Sequence, residues 1–92
     1  MIFAAEVEAI IYEAQSLKDK RSVVKRIKAR IQNDHNVAVS ELDFQNLWQR
    51  TLLGIVTISN DSVRAEQAIM QTLELIDSFP EIERTRTDFE WY

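Results

Sequence analysis

From Ile2 to Tyr12 every second residue is apolar, with Glu6 and Glu8 between them. Phe3, Ala5, Val7, Ala9 and Ile11 fall on one side, and Ile2, Ala4, Glu6, Glu8, Ile10 and Tyr12 on the other. A period of two belongs to a strand, and a wholly apolar side must face a core. From Ser16 the period changes. Leu17, Val24, Ile27 and Ile31 lie within about 80° of one another at 100° per residue, with Val23 at the margin, as on the buried stripe of a helix. Ser16 is a suitable N-cap with Asp19 three residues on, and Asn33, Asp34, His35 and Asn36 supply the stop.

Val37 to Phe44 and Thr51 to Ser59 read as a second and a third strand, the latter rich in Leu, Ile, Val and Thr. Gln45 to Arg50 connects them. Gly54 inside strand three predicts a helix or side chain packed closely over it. Asn60, Asp61 and Ser62 offer caps for a second helix. Val63, Ala65, Ala68, Ile69, Leu73 and Ile76 form its buried side, and Ser78-Phe79-Pro80 ends it. Residues 82–91 alternate again, with Arg84, Arg86, Asp88 and Glu90 opposite Thr85, Thr87, Phe89 and Trp91.

The order β-α-β-β-α-β, closed by two right-handed crossovers, predicts an α+β ferredoxin-like sandwich. Its four-stranded antiparallel sheet carries two helices on one face, with strands two and four at the edges. One Gly and one Pro leave no flexible linker, so residues 1–92 form a single domain.

Composition narrows the chemistry. No Cys is present, which removes disulfides, thiolate nucleophiles and zinc-thiolate sites. His35 is the only histidine and belongs at the end of the first helix, where the dipole favours a cation. No metal and no cofactor is expected. Glu6 and Glu8 share a strand face at roughly 6.6 Å, but cross-strand pairing with Arg84 and Arg86 accounts for them better than glycoside chemistry. A glycine-rich phosphate loop and a nucleophile–base pair are both lacking, so no catalytic residue is assigned and a non-enzymatic protein is expected. No positively charged leader and no apolar run of ~18 residues is visible, so neither secretion nor a membrane span is expected, and the cytoplasm is.

Charge is segregated. Residues 16–35 hold seven of the eleven basic residues with only Asp19 and Asp34, giving +5, while the rest of the chain sums to −9 and the whole to −4. Lys18, Arg21, Lys25 and Lys28, at i, i+3, i+7 and i+10, form one stripe beside the apolar seam. Such a stripe tracks phosphates, or it is a solvated helix face. Trp48, followed by Gln49 and Arg50, either stacks on a base or folds under the hairpin to cap the core. Arg50 is then a phosphate contact or the ion-pair partner of Asp43. Alternation places Ile2, Ile10, Tyr12, Leu53 and Ile55 on the open sheet face, an apolar patch to be covered by a homodimer or another partner.

Two segments carry a resemblance. Ser16-Leu17-Lys18-Asp19-Lys20-Arg21-Ser22-Val23-Val24-Lys25 resembles the opening of the first helix in the YlxP-like bacterial family, a domain of unknown function. Asp43-Phe44-Gln45-Asn46-Leu47-Trp48-Gln49-Arg50 resembles its second signature, D-x-Q-D-L-W-Q-R. Asn46 replaces the expected Asp, and Phe44 stands where His is frequent. Gly54 to Asp61 resembles the strand and turn that follow. The resemblance implies a small ferredoxin-like protein without established enzymatic activity. In many Gram-positive bacteria its gene lies among translation and ribosome-maturation genes. That neighbourhood implies work on ribosomal RNA or ribosomal particles. Lys18, Arg21, Lys25, Lys28, Trp48, Gln49 and Arg50 are the candidate contacts; the alternative is a dimeric interaction or ligand-sensing module that uses the open sheet face.

Overall fold

A computed structural model describes every residue from Met1 to Tyr92. The elements run β1 (Ile2–Ile11), α1 (Leu17–Asp34), β2 (Ala38–Asp43), β3 (Arg50–Ile58), α2 (Ser62–Asp77) and β4 (Ile82–Trp91). The sheet order is β2-β3-β1-β4, and every neighbouring pair is antiparallel. This is the expected ferredoxin-like sandwich, with β2 and β4 at its edges.

Local chemistry sets the helix starts. Ser16 is extended and accepts from the Asp19 N–H at 3.0 Å, while Asp19 Oδ2 accepts from the Gln15 N–H at 3.1 Å. The two orphan donors are satisfied reciprocally. Asp61 caps α2 through the Val63 N–H at 2.8 Å. His35 is the C-cap of α1, its N–H bonded to the Ile31 carbonyl.

The core lies between one face of the sheet and both helices. Phe3, Ala5, Val7, Ala9 and Ile11 of β1 meet Val24, Ile27 and Ile31 of α1 and Ala65, Ile69, Leu73 and Ile76 of α2. β3 presents Thr51, Leu53, Ile55 and Thr57 to the same core, all buried. This overturns the placement of Leu53 and Ile55 on the open face. Thr51-Leu52-Leu53-Gly54-Ile55-Val56 is apolar on both sides, so its alternation carries no phase. The register sets it: Glu6 pairs with Gly54 and Ala4 with Val56, so Leu52, Gly54, Val56 and Ile58 face outward with Glu6 and Ala4. Ile2, Ile10 and Tyr12 are exposed.

Two irregularities shift the edge strands. β4 slips against β1 between Glu8 and Ala9, so that Glu8 pairs with Arg86 and Ala9 with Arg84, leaving Thr85 over. The bulge moves Arg84 to the core side with Thr87, Phe89 and Trp91, instead of opposite them. β2 slips at Leu42, which turns onto the open face beside Gly54. A Cβ at Gly54 would sit 2.6 Å from Leu42 Cδ1. The close neighbour of this glycine is thus an exposed leucine outside the sandwich, not a helix above it.

Candidate nucleic-acid interface

The first helix divides into three flanks. Lys20, Val24, Ile27 and Ile31 are buried. On one side of them Arg26 pairs with Glu81, which precedes β4, at 2.5 Å, so this flank faces the second half of the fold. The other side carries Lys18, Arg21, Lys25 and Lys28. Because α1 packs on edge strand β2, this stripe overhangs the outer rim of the sheet.

Ion pairing separates the stripe from the other cations. Lys20, Arg26, Arg30, Arg50, Arg64, Arg84 and Arg86 each have a carboxylate within 4.0 Å. The four stripe residues are the remaining lysines and arginines of the chain, and none has such a partner. Lys18, Arg21 and Lys25 are exposed and Lys28 is half-buried. Asp19, the nearest acid in sequence, projects from the far side of the helix at about 100° per residue.

Lys20 was not foreseen. Its ammonium is buried, lies 2.7 Å from Glu41 Oε2 and donates to the Phe44 carbonyl at 2.6 Å. Glu41 also accepts from the buried Thr51 hydroxyl at 2.5 Å. This network ties α1 to β2, β3 and the loop between them. The signal was present in the sequence: Lys20 falls four residues before Val24 and seven before Ile27, inside the apolar stripe.

The network also fixes the loop that carries Trp48. Phe44 adopts a left-handed conformation, φ 63°, with its N–H bonded to Asp43 Oδ1 at 2.7 Å. Its ring lies under the Arg50 guanidinium at 4.1 Å. Gln49 donates through Nε2 to the Ala14 carbonyl at 3.1 Å, and its own carbonyl accepts from the Ile11 N–H. On this pinned loop Leu47 and Trp48 stand half-exposed, Trp48 at 51%. Trp48 therefore does not cap the core.

The candidate residues separate accordingly. Lys18, Arg21, Lys25, Lys28 and Trp48 have free polar or aromatic surface, and Lys20, between Lys18 and Arg21 in sequence, holds the Phe44 carbonyl at the start of the Trp48 loop. Gln49 is occupied in holding that loop. Arg50 pairs with Glu8 at 3.0 Å rather than with Asp43. It projects on the open face, away from the stripe. Arg86 is the cross-strand neighbour of Glu8, as expected, but neither Glu6 nor Glu8 forms an ion pair with Arg84 or Arg86: Arg84 binds Asp77 through two contacts of 2.7 and 2.8 Å, and Arg86 binds Asp88.

The open face carries a shallow depression of about 520 Å³ over Gly54, edged by Leu42, Val56 and Tyr92. Ala4, Ala38 and Ser40 form much of its floor. No helix is long and apolar enough to cross a membrane.

Residues 2–89 match the family described as a protein of unknown function, DUF503. The chain is 53% identical over 92 residues to the uncharacterized protein YlxP of Bacillus subtilis (strain 168), covering both chains completely. A de novo designed protein, Foldit4, has a similar fold, with a TM-score of 0.59 at 15% identity over 100% of this chain and 99% of that one. The chain belongs to the DUF503, YlxP-like family.

Proposed function

We propose that this DUF503 protein is a non-enzymatic cytoplasmic accessory factor that associates with ribosomal RNA or a ribosomal precursor. One observation carries the reading: the four lysine and arginine side chains without a carboxylate partner form a single stripe on an otherwise acidic chain. Every other lysine and arginine has a carboxylate within 4.0 Å. An unpaired row over about 15 Å of helix, at 1.5 Å per residue, matches a run of phosphates and binds by releasing their counterions. Trp48 adds a face on which an unpaired base stacks. The choice of ribosomal RNA rests on the gene neighbourhood that the family resemblance implies.

Replacing Lys18, Arg21, Lys25 and Lys28 together with Gln tests this. Gln is nearly as good a helix former as Lys, so the melting temperature should hold. Recovery of ribosomal particles from lysate should fall to background, and RNase should abolish recovery by the parent. Each lost contact should lower the salt slope of binding by about 0.7 on single strands and about 0.9 on a duplex. Co-sedimentation of the folded quadruple variant at the parental level would refute the reading.

A second reading is supported by the depression over Gly54: an interaction or ligand-sensing module that uses the open face. Its binding would survive salt and fall with Val56→Glu, whereas the phosphate reading expects the reverse.

A further inference from the structure

The free edge of β4 carries an unexplained exposure. Phe89 and Trp91 lie on the helix-covered side of the sheet and stack on the buried ring of Phe3, with centroids 5.7 and 4.1 Å away. Yet they are 48% and 46% exposed. The neighbouring flank of α2 has the same character. Asp77 reaches β4 through Arg84 and so marks the flank turned to this edge. Met70 and Val63, seven and fourteen residues earlier, drift from it by only about 20° per heptad. Both are exposed. The flank of α2 and the rim of the sheet that border this trough thus carry four exposed large apolar side chains.

The backbone of the same edge is open. The Tyr92 N–H bonds to the Ile2 carbonyl of β1, around the Phe3–Trp91 pair. Alternation then directs the N–H and C=O groups of Thr87, Phe89 and Trp91 away from β1, to the free side. We infer that a second copy of this chain pairs here, β4 antiparallel to β4, about a two-fold axis at Thr87.

Charge selects that register. A two-fold pairing sets residue i opposite a residue on the same side of the sheet, so the dyad falls on a residue. Centred on Arg86 or Asp88, it opposes identical charges. Centred on Phe89, it sets Asp88 against Glu90 of the other copy. Centred on Thr87, it sets Arg86 opposite Asp88 twice and lets the two Thr87 residues exchange both backbone bonds. The Arg86–Asp88 pair, now 2.9 Å apart within one strand, becomes reciprocal between strands. Arg84 does not oppose this, because Asp77 neutralises it and its Nη1 donates to Thr87 Oγ1 at 3.0 Å.

The trough closes in the same step. With α2 above β1, the two copies of α2 stand about three strand spacings apart, roughly 14 Å. Helices in direct contact lie 8–10 Å apart, so side chains must fill the gap. The rings of Phe89 and Trp91 from both copies occupy it. The dimer is an eight-stranded sheet with four helices on one face, and both basic stripes stay at its outer rims.

Sedimentation of the purified chain at tens of micromolar and physiological salt should give a dimer. The chain contains no Cys, so Thr87→Cys offers a single thiol at the dyad, where opposed Cα atoms ~5.5 Å apart suit a disulfide. Mild oxidation should link that variant and leave Val56→Cys, on the open face, unlinked. Asp88→Arg should weaken the dimer at least tenfold while the melting temperature measured dilute, below self-association, stays unchanged, and the exchange Arg86→Asp with Asp88→Arg should restore the dimer. A monomeric parent overturns the inference. So does efficient linkage through Val56→Cys without linkage through Thr87→Cys, which moves the interface to the open face. Because RNA is absent throughout, none of these outcomes bears on the stripe.

Discussion

The two ends of the helix-covered sheet face invert the usual assignment of polar and apolar side chains. At one end a lysine, a glutamate and a threonine meet, and Lys20 is 1% exposed. At the other, two aromatic rings on a buried phenylalanine are about half-exposed. The difference lies in what covers each end. The β2–β3 loop folds over the Lys20 end and supplies the Phe44 carbonyl. At the aromatic end β4 is the rim of the sheet and nothing lies beyond it. Burial here follows the placement of covering segments, and side-chain polarity follows only where a partner is supplied.

The largest effect should come from breaking the polar end. Glu41→Ala strands the buried Lys20 ammonium, and loss of one member of a buried pair costs about 3–5 kcal/mol. Lys20→Met should cost less, since Glu41 retains some access to water. Denaturant midpoints of the two variants check this order, and equal values would show that the network is not a buried pair. Phe89→Ala should cost less again, roughly 1–2 kcal/mol against 3–5 for a fully buried ring. It should be measured dilute, below any self-association. A cost that grows with protein concentration would show a second copy covering the ring.

Gly54→Val tests a position outside both ends. Its neighbour Leu42 is exposed and free to turn, and valine favours a strand, so the change should stay below about 1 kcal/mol. A loss of several kcal/mol would mean that Leu42 is held in place. The smallest effect concerns acid. The Arg26 guanidinium holds the Glu81 carboxyl below its ordinary value near 4.5. The stability this adds is full above that value and disappears as pH falls through the lowered one. Arg26→Gln should therefore lower stability slightly at neutral pH and flatten its decline in acid; an unchanged acid limb would count against the pair.

Much of the fold was legible because most elements have a clear period. β1 has one wholly apolar side marked off by Glu6 and Glu8 on the other, and α1 and α2 carry apolar stripes behind Ser16 and Asp61. What failed, failed where the pattern holds no phase. β3 is apolar on both sides, so Leu53 and Ile55 went to the wrong face. β4 alternates cleanly in sequence, but an extra residue at Thr85 reverses Arg84 relative to Thr87. The stripe of Lys18, Arg21, Lys25 and Lys28 was visible from spacing alone. That these four are the unpaired cations was not, because pairing depends on which acids the fold brings near. The role of Gln49 as a loop brace was hidden for the same reason, since its acceptor, Ala14, lies 35 residues away.

The pairing of β1 with β4 has a kinetic consequence. The β2–β3 connection closes over six residues, whereas the Phe3–Trp91 pair joins positions 88 apart. Loop-closure entropy rises with separation, and contacts distant in sequence are slow to form. The β2–β3 hairpin and the α1 contacts around Lys20 should therefore organise early, with β4 completing the sheet last. Substitutions at Phe89 should then mainly accelerate unfolding, while those at Glu41 should slow folding. The edge we assign to self-association would form late in folding, so a chain still in synthesis presents the lysine network before it can present a partner surface.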